Sequence, residues 1–482
     1  MILAVDVGTS VVKAALFDEG GAVLSRADAP LSLLPNPDPI RHEVDALEWI
    51  RALGLLASKL RLVETQRPRA IVISGNGPTL VPVAQDGQPL SNAMTWMDRR
   101  GVEEASIVAE RRGTPTDAAF YLPKALWVAR HQPELYERTR YFFSCPEYLT
   151  FILTGSAVTF LPTPDYSRSI MWDSDAVRSL GMDPDKFPPF VIPGSAVGRV
   201  TKAGSRASGI PEGLPVFAGA PDFIVSLLGT ATVAPGRACM RSGTSEGINL
   251  CSRTAIQDRR LLCVSHIVPG FFNVSGVIST SGRALEWFKN ATGKTDGDYE
   301  SLFNDIEDMP AGSNRLLFLP YLAGERAPIW DSLARGAFIG LSLNHGLRDM
   351  TRAVVESVAY AVRDVVEVME EAGVSVQDLR ITGSPSRSPL WNQIKADVTK
   401  RRILVPTQPD SDLVGDACLA LFGLGEFDSA AAASEAIVEM GEVFEPDTAK
   451  GQTYDEMFSL YRESYAGLRG VFAKLSSPRS GQ

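Results

Sequence analysis

The stretch Met1–Asp18, MILAVDVGTSVVKAALFD, decides how this chain is read. Two apolar runs flank Gly8-Thr9-Ser10, a pattern that predicts strand, tight turn, strand. Asp6 closes the first run. Gly8 lets the backbone turn closely, and Thr9, Ser10 and Lys13 supply two hydroxyls and an ammonium. Successive N–H groups in such a turn form a concave anion site. A carboxylate beside a phosphate-sized nest suits Mg²⁺ bridged to a nucleotide. The plainer alternative is a Gly-containing hairpin with an exposed Asp, and this stretch alone does not choose between them.

Working outward, residues 22–29 read as a third strand, so the chain opens with an antiparallel meander. Residues 45–64 carry apolar positions at helical spacing, with Asp45 as N-cap. An apolar run at 70–74 then ends in Gly75-Asn76-Gly77-Pro78-Thr79, and 80–84 resumes as a strand. Three meander strands, a helix and a buried strand mix antiparallel with parallel pairing, unlike the βαβ start of a dinucleotide domain. The segments 75–80 and 423–428 both fail G-x-G-x-x-G, and Gly293-Lys294-Thr295 lacks the earlier glycine of a P-loop. Met94–Arg100, MTWMDRR, groups Trp96, Asp98, Arg99 and Arg100; a surface salt-bridge cluster beside one aromatic is its plain reading.

Further on, a short strand at 215–218 runs into Gly219-Ala220-Pro221-Asp222, and 223–228 begins a helix. Asp222 therefore sits at a tight strand-to-helix corner, as an N-cap or as something more. Residues 231–238 hold Pro235-Gly236 without periodicity and mark a boundary, giving domains 1–233 and 234–482. Immediately after it, CMRSGTSEGINLC (239–251) repeats the opening theme around Gly243-Thr244-Ser245. A helix at 349–372, closed by Gly373, precedes a strand at 379–384 that ends in Gly383-Ser384, as 70–75 ended in Ser74-Gly75. The two halves share one sketch, which predicts a divergent duplication whose lobes enclose a cleft, each holding phosphates with its own turn.

The composition narrows the function. With 482 residues the chain is too long for one core. Its 45% hydrophobic and 22% charged residues are those of a soluble globular protein, and its net charge of −10 argues against general nucleic-acid or membrane-surface binding. The five cysteines form no C-x-x-C pair and the four histidines lack metal-ligand spacing. No apolar run is long enough to span a membrane and no signal peptide opens the chain, so a reducing cytoplasm is expected.

Four landmarks in this order give the chain a clear resemblance to the FGGY family of carbohydrate kinases. They are Asp6-Val7-Gly8-Thr9-Ser10; Trp96-Met97-Asp98-Arg99-Arg100, similar to the family's W-x-D-x-R; Ala220-Pro221-Asp222 followed by Leu228-Gly229-Thr230; and Gly336-Ala337-Phe338-Ile339-Gly340-Leu341 with Asp349-Met350 and 353–356. Residues 321–328, YLAGERAP, resemble the xylulokinase branch, and an N-terminal signature matches in part, at Lys124 and Trp127. The resemblance covers about residues 1–430. It implies an α/β, two-lobed actin-like ATPase (ribonuclease H-like) fold, with duplicated domains around a central cleft that closes over ATP and sugar. It also implies roles. Asp222 would be the general base, and Asp6, together with Asp222, would hold Mg²⁺. Gly8, Thr9, Ser10 and Lys13 would approach the phosphates, with Gly243 and Thr244 opposite. Gly383, Ser384 and Asn392 would contact adenosine. Asn76, Gly77, Pro78, Trp96, Asp98, Arg99 and Asp222 would surround the acceptor.

One departure bears on the acceptor. Xylulokinases usually read Gly-Gln-Met-His-Gly where this chain has Gly75-Asn76-Gly77-Pro78-Thr79, so the Met-His contact to sugar is replaced by Gly-Pro. D-xylulose is the default acceptor, with another ketose or a polyol close behind; glycerol fits less well, since the family's Arg-Glu at this loop is also absent. The expected partners are that small molecule and ATP, without nucleic acid or membrane; a homodimer stays open. A non-catalytic sugar or nucleotide sensor on the same scaffold is the competing class, and an actin-like ATPase acting on proteins is a third. Retention of both Asp6 and Asp222 favours the enzyme.

Overall fold

In the computed structural model, residues 1–62, 67–113, 116–161, 171–293 and 299–476 are described. Lys294 and Thr295, and the end of the helix expected at 45–64, lie outside them.

The chain forms two compact units. The first comprises 1–231, 265–269 and 411–438; the second comprises 232–264, 270–410 and 439–482. A division at 233/234 treats each half as one continuous segment, whereas here the first unit takes in a helix, Ser411–Gly423, that the chain reaches only after building most of the second.

The first unit is built on a six-stranded sheet. Its order is Ala196–Arg199, Pro215–Phe217, Ala70–Gly75, Ile2–Val7, Val11–Phe17, Val23–Pro30. The last three are the antiparallel meander, and Ile2–Val7, Ala70–Gly75 and Pro215–Phe217 run parallel. Alternation along the strands separates the two faces. Leu3, Val5, Val7, Ile71 and Ile73 join a core with Trp49, Leu53 and Leu56 of the helix Ala46–Lys59 and with Tyr148 and Leu149 of Cys145–Thr154. Asp45 caps the first of these helices, accepting from the Leu47 N–H at 2.9 Å. On the other face, Ser411–Gly423 packs on the first strand and on Asp222–Gly229. Gly415 and Gly229 make that packing close: a Cβ at Gly415 would lie 2.0 Å from the Val225 carbonyl, and one at Gly229 1.8 Å from the Ser411 carbonyl.

The second unit has a seven-stranded sheet: Leu262–Ser265, Phe272–Ile278, Glu246–Ser252, Arg237–Ser242, Asp378–Thr382, Arg402–Pro406, Met440–Phe444. Six of the seven repeat the first sheet strand for strand. An antiparallel meander leads into parallel neighbours, and an antiparallel strand closes the far edge. Only the edge strand differs in origin. Ala196–Arg199 precedes its neighbour in sequence, whereas Met440–Phe444 follows its own. The long helix Leu347–Glu371 packs its Val358, Val362, Val365 and Met369 inward, and Gly373 takes a φ of +86° just after it. The duplication read from two Gly-Thr-Ser turns is thus a duplication of whole sheets.

Candidate functional site

In the first unit, three of the segments expected on the acceptor or phosphate side emerge from the carboxyl ends of parallel strands or beside them. Gly8–Ser10 follows Ile2–Val7, Asn76–Thr79 follows Ala70–Gly75, and the 219–222 corner follows Pro215–Phe217. Gly75 forms a parallel bridge with Pro221, which places the three loops side by side. The backbones meet closely there. A Cβ at Gly219 would lie 2.0 Å from the Ile73 carbonyl, and one at Gly75 2.9 Å from the Cys145 thiol.

Asp222 is the first residue of the helix Asp222–Gly229, one place inside the corner, and its Oδ1 accepts from the Phe223 N–H at 2.7 Å. It is partly exposed. Asp6 is buried and faces Lys13 across the antiparallel pair and Ser74 across the parallel one. The two carboxylates share a neighbourhood: the buried Cys145 thiol is pushed well up by burial first, and by the charges of Asp222 and Asp6 after it.

Two acids that the sequence reading missed join them. Asp412 and Asp416 stand one turn apart on Ser411–Gly423, both buried. Asp416 Oδ2 accepts from Ser74 Oγ at 2.6 Å, while its Oδ1 has no hydrogen-bond partner among the described residues. Burial, reinforced by the Asp6 and Asp412 charges, drives its carboxyl well above the usual range. Two acids at i, i+4 in an otherwise apolar helix were the signal in the sequence that went unused.

The turn itself is closed internally. The Gly8 N–H donates to the Val11 carbonyl at 3.0 Å, so Gly8 contributes close backbone approach and not that N–H. Thr9 Oγ1 accepts from the Trp96 indole N–H at 3.0 Å, which leaves its own proton to donate. Ser10 is exposed, and Lys13 is half-buried beside Asp6.

On the acceptor side three of the expected residues have protein partners. The Asn76 side chain ties its loop to the first strand, donating to the Val7 carbonyl at 3.0 Å and accepting from Thr79 Oγ1 at 2.6 Å. Asp98 is fully buried and accepts from the His42 N–H and from the Arg100 backbone and guanidinium. Burial alone would raise its pKa, but these donors hold it below the ordinary carboxylate range. It shapes the loop; a direct acceptor contact would have to break one of these bonds. Arg99 is paired with Asp117 at the surface. What faces Gly77 is Tyr121, whose hydroxyl lies 3.1 Å from where a Cβ would be. Gly75, Asn76, Tyr121 and Pro221 line part of one small cavity. Lys124, buried, donates to the carbonyls of Pro78 (2.7 Å) and Thr95 (2.6 Å) and so ties the Gly77-Pro78 loop to the Trp96 loop. Burial brings its pKa down to about 7, against the pull of Asp98.

In the second unit, Gly243–Ser245 and Gly383–Ser384 occupy the carboxyl ends of neighbouring parallel strands. The Gly243 N–H donates to the Ser245 carbonyl at 2.9 Å, and a Cβ on Gly243 would only touch that carbonyl, at 3.9 Å. Gly383 has a φ of +94°, and a Cβ there would lie 1.9 Å from the Ser242 carbonyl, so only glycine fits. Ser384 is exposed; Asn392 is buried and donates to the Ser386 carbonyl at 2.7 Å, holding the short turn that Ser384 opens.

Family models cover both units. The N-terminal domain of the FGGY family of carbohydrate kinases matches residues 1–229 and its C-terminal domain residues 238–424. The chain belongs to the FGGY family of carbohydrate kinases. A xylulose kinase of Staphylococcus epidermidis is 30% identical to this kinase over 98% of each chain. A gluconokinase of Bacillus licheniformis is 26% identical over 99% of this chain and 98% of its own. The crystal structure of xylulose kinase from Rhodospirillum rubrum matches with a TM-score of 0.86 at 28% identity, covering 98% of this chain and 99% of that one. The kinase thus has the duplicated actin-like α/β fold, and its doubled sheet is the mark of it.

Proposed function

We propose that this kinase transfers the γ-phosphoryl group of ATP to a hydroxyl of a ketose or polyol, with D-xylulose the first acceptor to try. The observation that supports it is the gathering of Asp6, Gly8–Ser10, Gly77-Pro78 and Asp222 at the carboxyl ends of three adjacent parallel strands, where α/β sheets bind ligands. The acceptor side is Gly77, Tyr121, Trp96 and the carboxylate of Asp222. A sugar hydroxyl has a high pKa, so its proton must be taken as it attacks. Asp222 is the partly exposed carboxylate that would take it. In the first unit Thr9 and Lys13 would offer a hydroxyl and an ammonium to phosphate oxygens; in the second, Thr244 would offer a hydroxyl. Gly383, Ser384 and the Asn392-held turn form the nucleoside side.

Asp6, with Asp222 beside it, fits Mg²⁺. Among the described residues no three His, Cys, Asp or Glu side chains converge as a closed metal cage. Mg²⁺ needs none, since it typically takes one or two carboxylates and completes its shell with phosphate and water. The charges of Asp6 and Asp412, both felt at Asp416, supply a negative field that a cation would offset. Bound there, the ion would neutralise charge on the phosphates.

The chain is an acid-acceptor candidate as well, because its gluconokinase relative is nearly as similar over the same length. A coupled ADP-release assay over pentuloses, hexuloses, polyols and aldonates ranks these acceptors. No helix among the described residues is long and apolar enough to cross a membrane, and all five cysteines are free thiols, which suits a reducing cytoplasm. Asp222→Asn tests the mechanism. It keeps the size and some of the hydrogen bonding of the side chain, so the fold and sugar affinity should survive while kcat falls by about 10²- to 10⁴-fold. Near-normal turnover with the best acceptor would reduce Asp222 to a helix-terminus residue.

A further inference from the structure

A charged pair lies buried beneath the second Gly-Thr-Ser turn. Lys395 of the helix Pro389–Thr399 and Glu246, the first residue of Glu246–Ser252, are both fully inaccessible, with Nζ 2.6 Å from Oε1. Every polar atom of the pair is engaged. Ser242 Oγ donates to Glu246 Oε1 at 2.6 Å and lies 3.3 Å from Lys395 Nζ, while Ser281 Oγ donates to Oε2 at 2.6 Å. The ammonium also lies 4.9 Å from the centre of the Trp391 ring.

The placement of this network gives it a task. Ser242 and Glu246 are the cross-strand pair that flanks Gly243-Thr244-Ser245. Ser281 precedes the helix Gly282–Ala291, and its N–H donates to the Thr244 carbonyl at 3.0 Å; the Gly282 N–H donates to the Gly243 carbonyl at 2.9 Å. One buried pair therefore holds both feet of the turn and the segment packed against it. Its charge matters too. A lone carboxylate at Glu246 would face a turn that receives phosphates, in a medium where charges are poorly screened. Lys395 cancels it. Burial depresses the lysine's pKa and Glu246 opposes that fall.

We propose that Lys395 and Glu246 are positioning residues for the nucleotide: together they fix the Gly243–Ser245 turn and keep its base electrically neutral toward phosphate. This rests on the reading of that turn as a phosphate site. Titration calorimetry with MgADP on the full chain tests it, with thermal melting alongside. Lys395→Met strands the carboxylate and should weaken MgADP binding at least tenfold. Adding Glu246→Gln to it should recover at least fivefold of that loss. Glu246→Gln alone strands a cation and should weaken binding less than Lys395→Met does, although both lower the melting temperature. In steady state Lys395→Met should raise KM for MgATP while KM for the acceptor stays within twofold. Equal loss from Lys395→Met and Glu246→Gln, or no loss from Lys395→Met in a folded protein, overturns the proposal. Should Lys395→Met not fold, the double variant and Glu246→Gln decide: tighter binding by Glu246→Gln than by the double variant supports the charge argument, and the reverse order overturns it. Thr244→Val separates the two layers. If it weakens MgADP and Lys395→Met does not, only the pair's role falls; if neither does, the phosphate turn itself falls.

Discussion

The two units carry the same sheet and the same Gly-Thr-Ser turn but opposite electrostatics beneath it. Under Gly8–Ser10 lie Asp6 and Ser74, with Asp412 and Asp416 on the helix that covers them, and burial, with the Asp6 and Asp412 charges adding to it, pushes Asp416 well above its ordinary pKa. Under Gly243–Ser245 the Glu246 charge is matched by Lys395 within 2.6 Å. On the reading proposed above, the repeated turn would serve two kinds of ligand chemistry: over Asp6 and its acidic neighbours it would be completed by a cation, and over a neutral base it would accept phosphate oxygens without one. Strand order follows from patterning and chain connectivity, whereas the charge beneath a turn depends on a few side chains, so duplication preserves the first and lets the second diverge.

The sharpest way to break this comparison is to remove charge from the first unit only. Asp6→Asn should lower turnover at limiting Mg²⁺ by about 10²-fold and raise the Mg²⁺ concentration needed for half-maximal rate, with acceptor KM little changed. A Mg²⁺ titration of initial rate checks this. An unchanged Mg²⁺ requirement would make the acidic base of the first turn a structural feature alone.

Asp416→Asn should act in the same direction and less. Asp416 is supported by Ser74 and reaches the ligand site through Asp6, and outer partners of metal ligands typically account for 10- to 100-fold in affinity. The expected shift in half-maximal Mg²⁺ is about tenfold, largely recovered at saturating metal. Asp416 was hidden from sequence reading for a physical reason: its partner Ser74 lies 342 positions away, and only the packing of Ser411–Gly423 on the first sheet brings them together. Asp6 and Asp222 were legible because an acid that ends an apolar strand or turns a Gly-Pro corner stands out locally. The partners of Asn76 and Asp98 were hidden for the converse reason: the residue types suit sugar recognition, and the Val7 carbonyl and the Arg100 guanidinium come to them only once the loops are folded. The buried pair Glu246–Lys395 needed two elements 149 residues apart. The meander and the faces of the helices at 45–64 and 349–372 rest on local periodicity, and the duplication on the repeated Gly-Thr-Ser turns, so these were readable.

Lys124 offers a contrast with Lys395 that pH can sharpen. Both are buried, but Lys124 bonds to two neutral carbonyls and has its pKa brought down to about 7. The unfolded chain keeps that proton up to about pH 10.4. Between pH 7 and 10 the unfolded state therefore binds more protons at this site, and stability contributed by it rises with pH. The wild type should gain stability over this window relative to Lys124→Met, measured as the difference in urea midpoint at pH 7 and pH 9. A constant difference would mean that Lys124 does not titrate there.

The smallest effect concerns the acceptor. If the Gly77-Pro78 loop selects the sugar, Gly77→Met with Pro78→His should move the ratio of kcat/KM toward D-xylulose, and single apolar contacts of this kind are worth about 10- to 200-fold. The lower end is expected here. A Cβ at position 77 would stand 3.1 Å from the Tyr121 hydroxyl, and Tyr121 is itself braced edge-on by Trp172 with ring centres 5.7 Å apart. The new methionine has to displace a ring that already occupies its place. Adding Tyr121→Thr clears that space, so the triple variant should shift the ratio further than the double. If neither variant changes the ranking of acceptors, selection lies outside this loop, and Tyr121 merely fills the volume that the missing side chains leave.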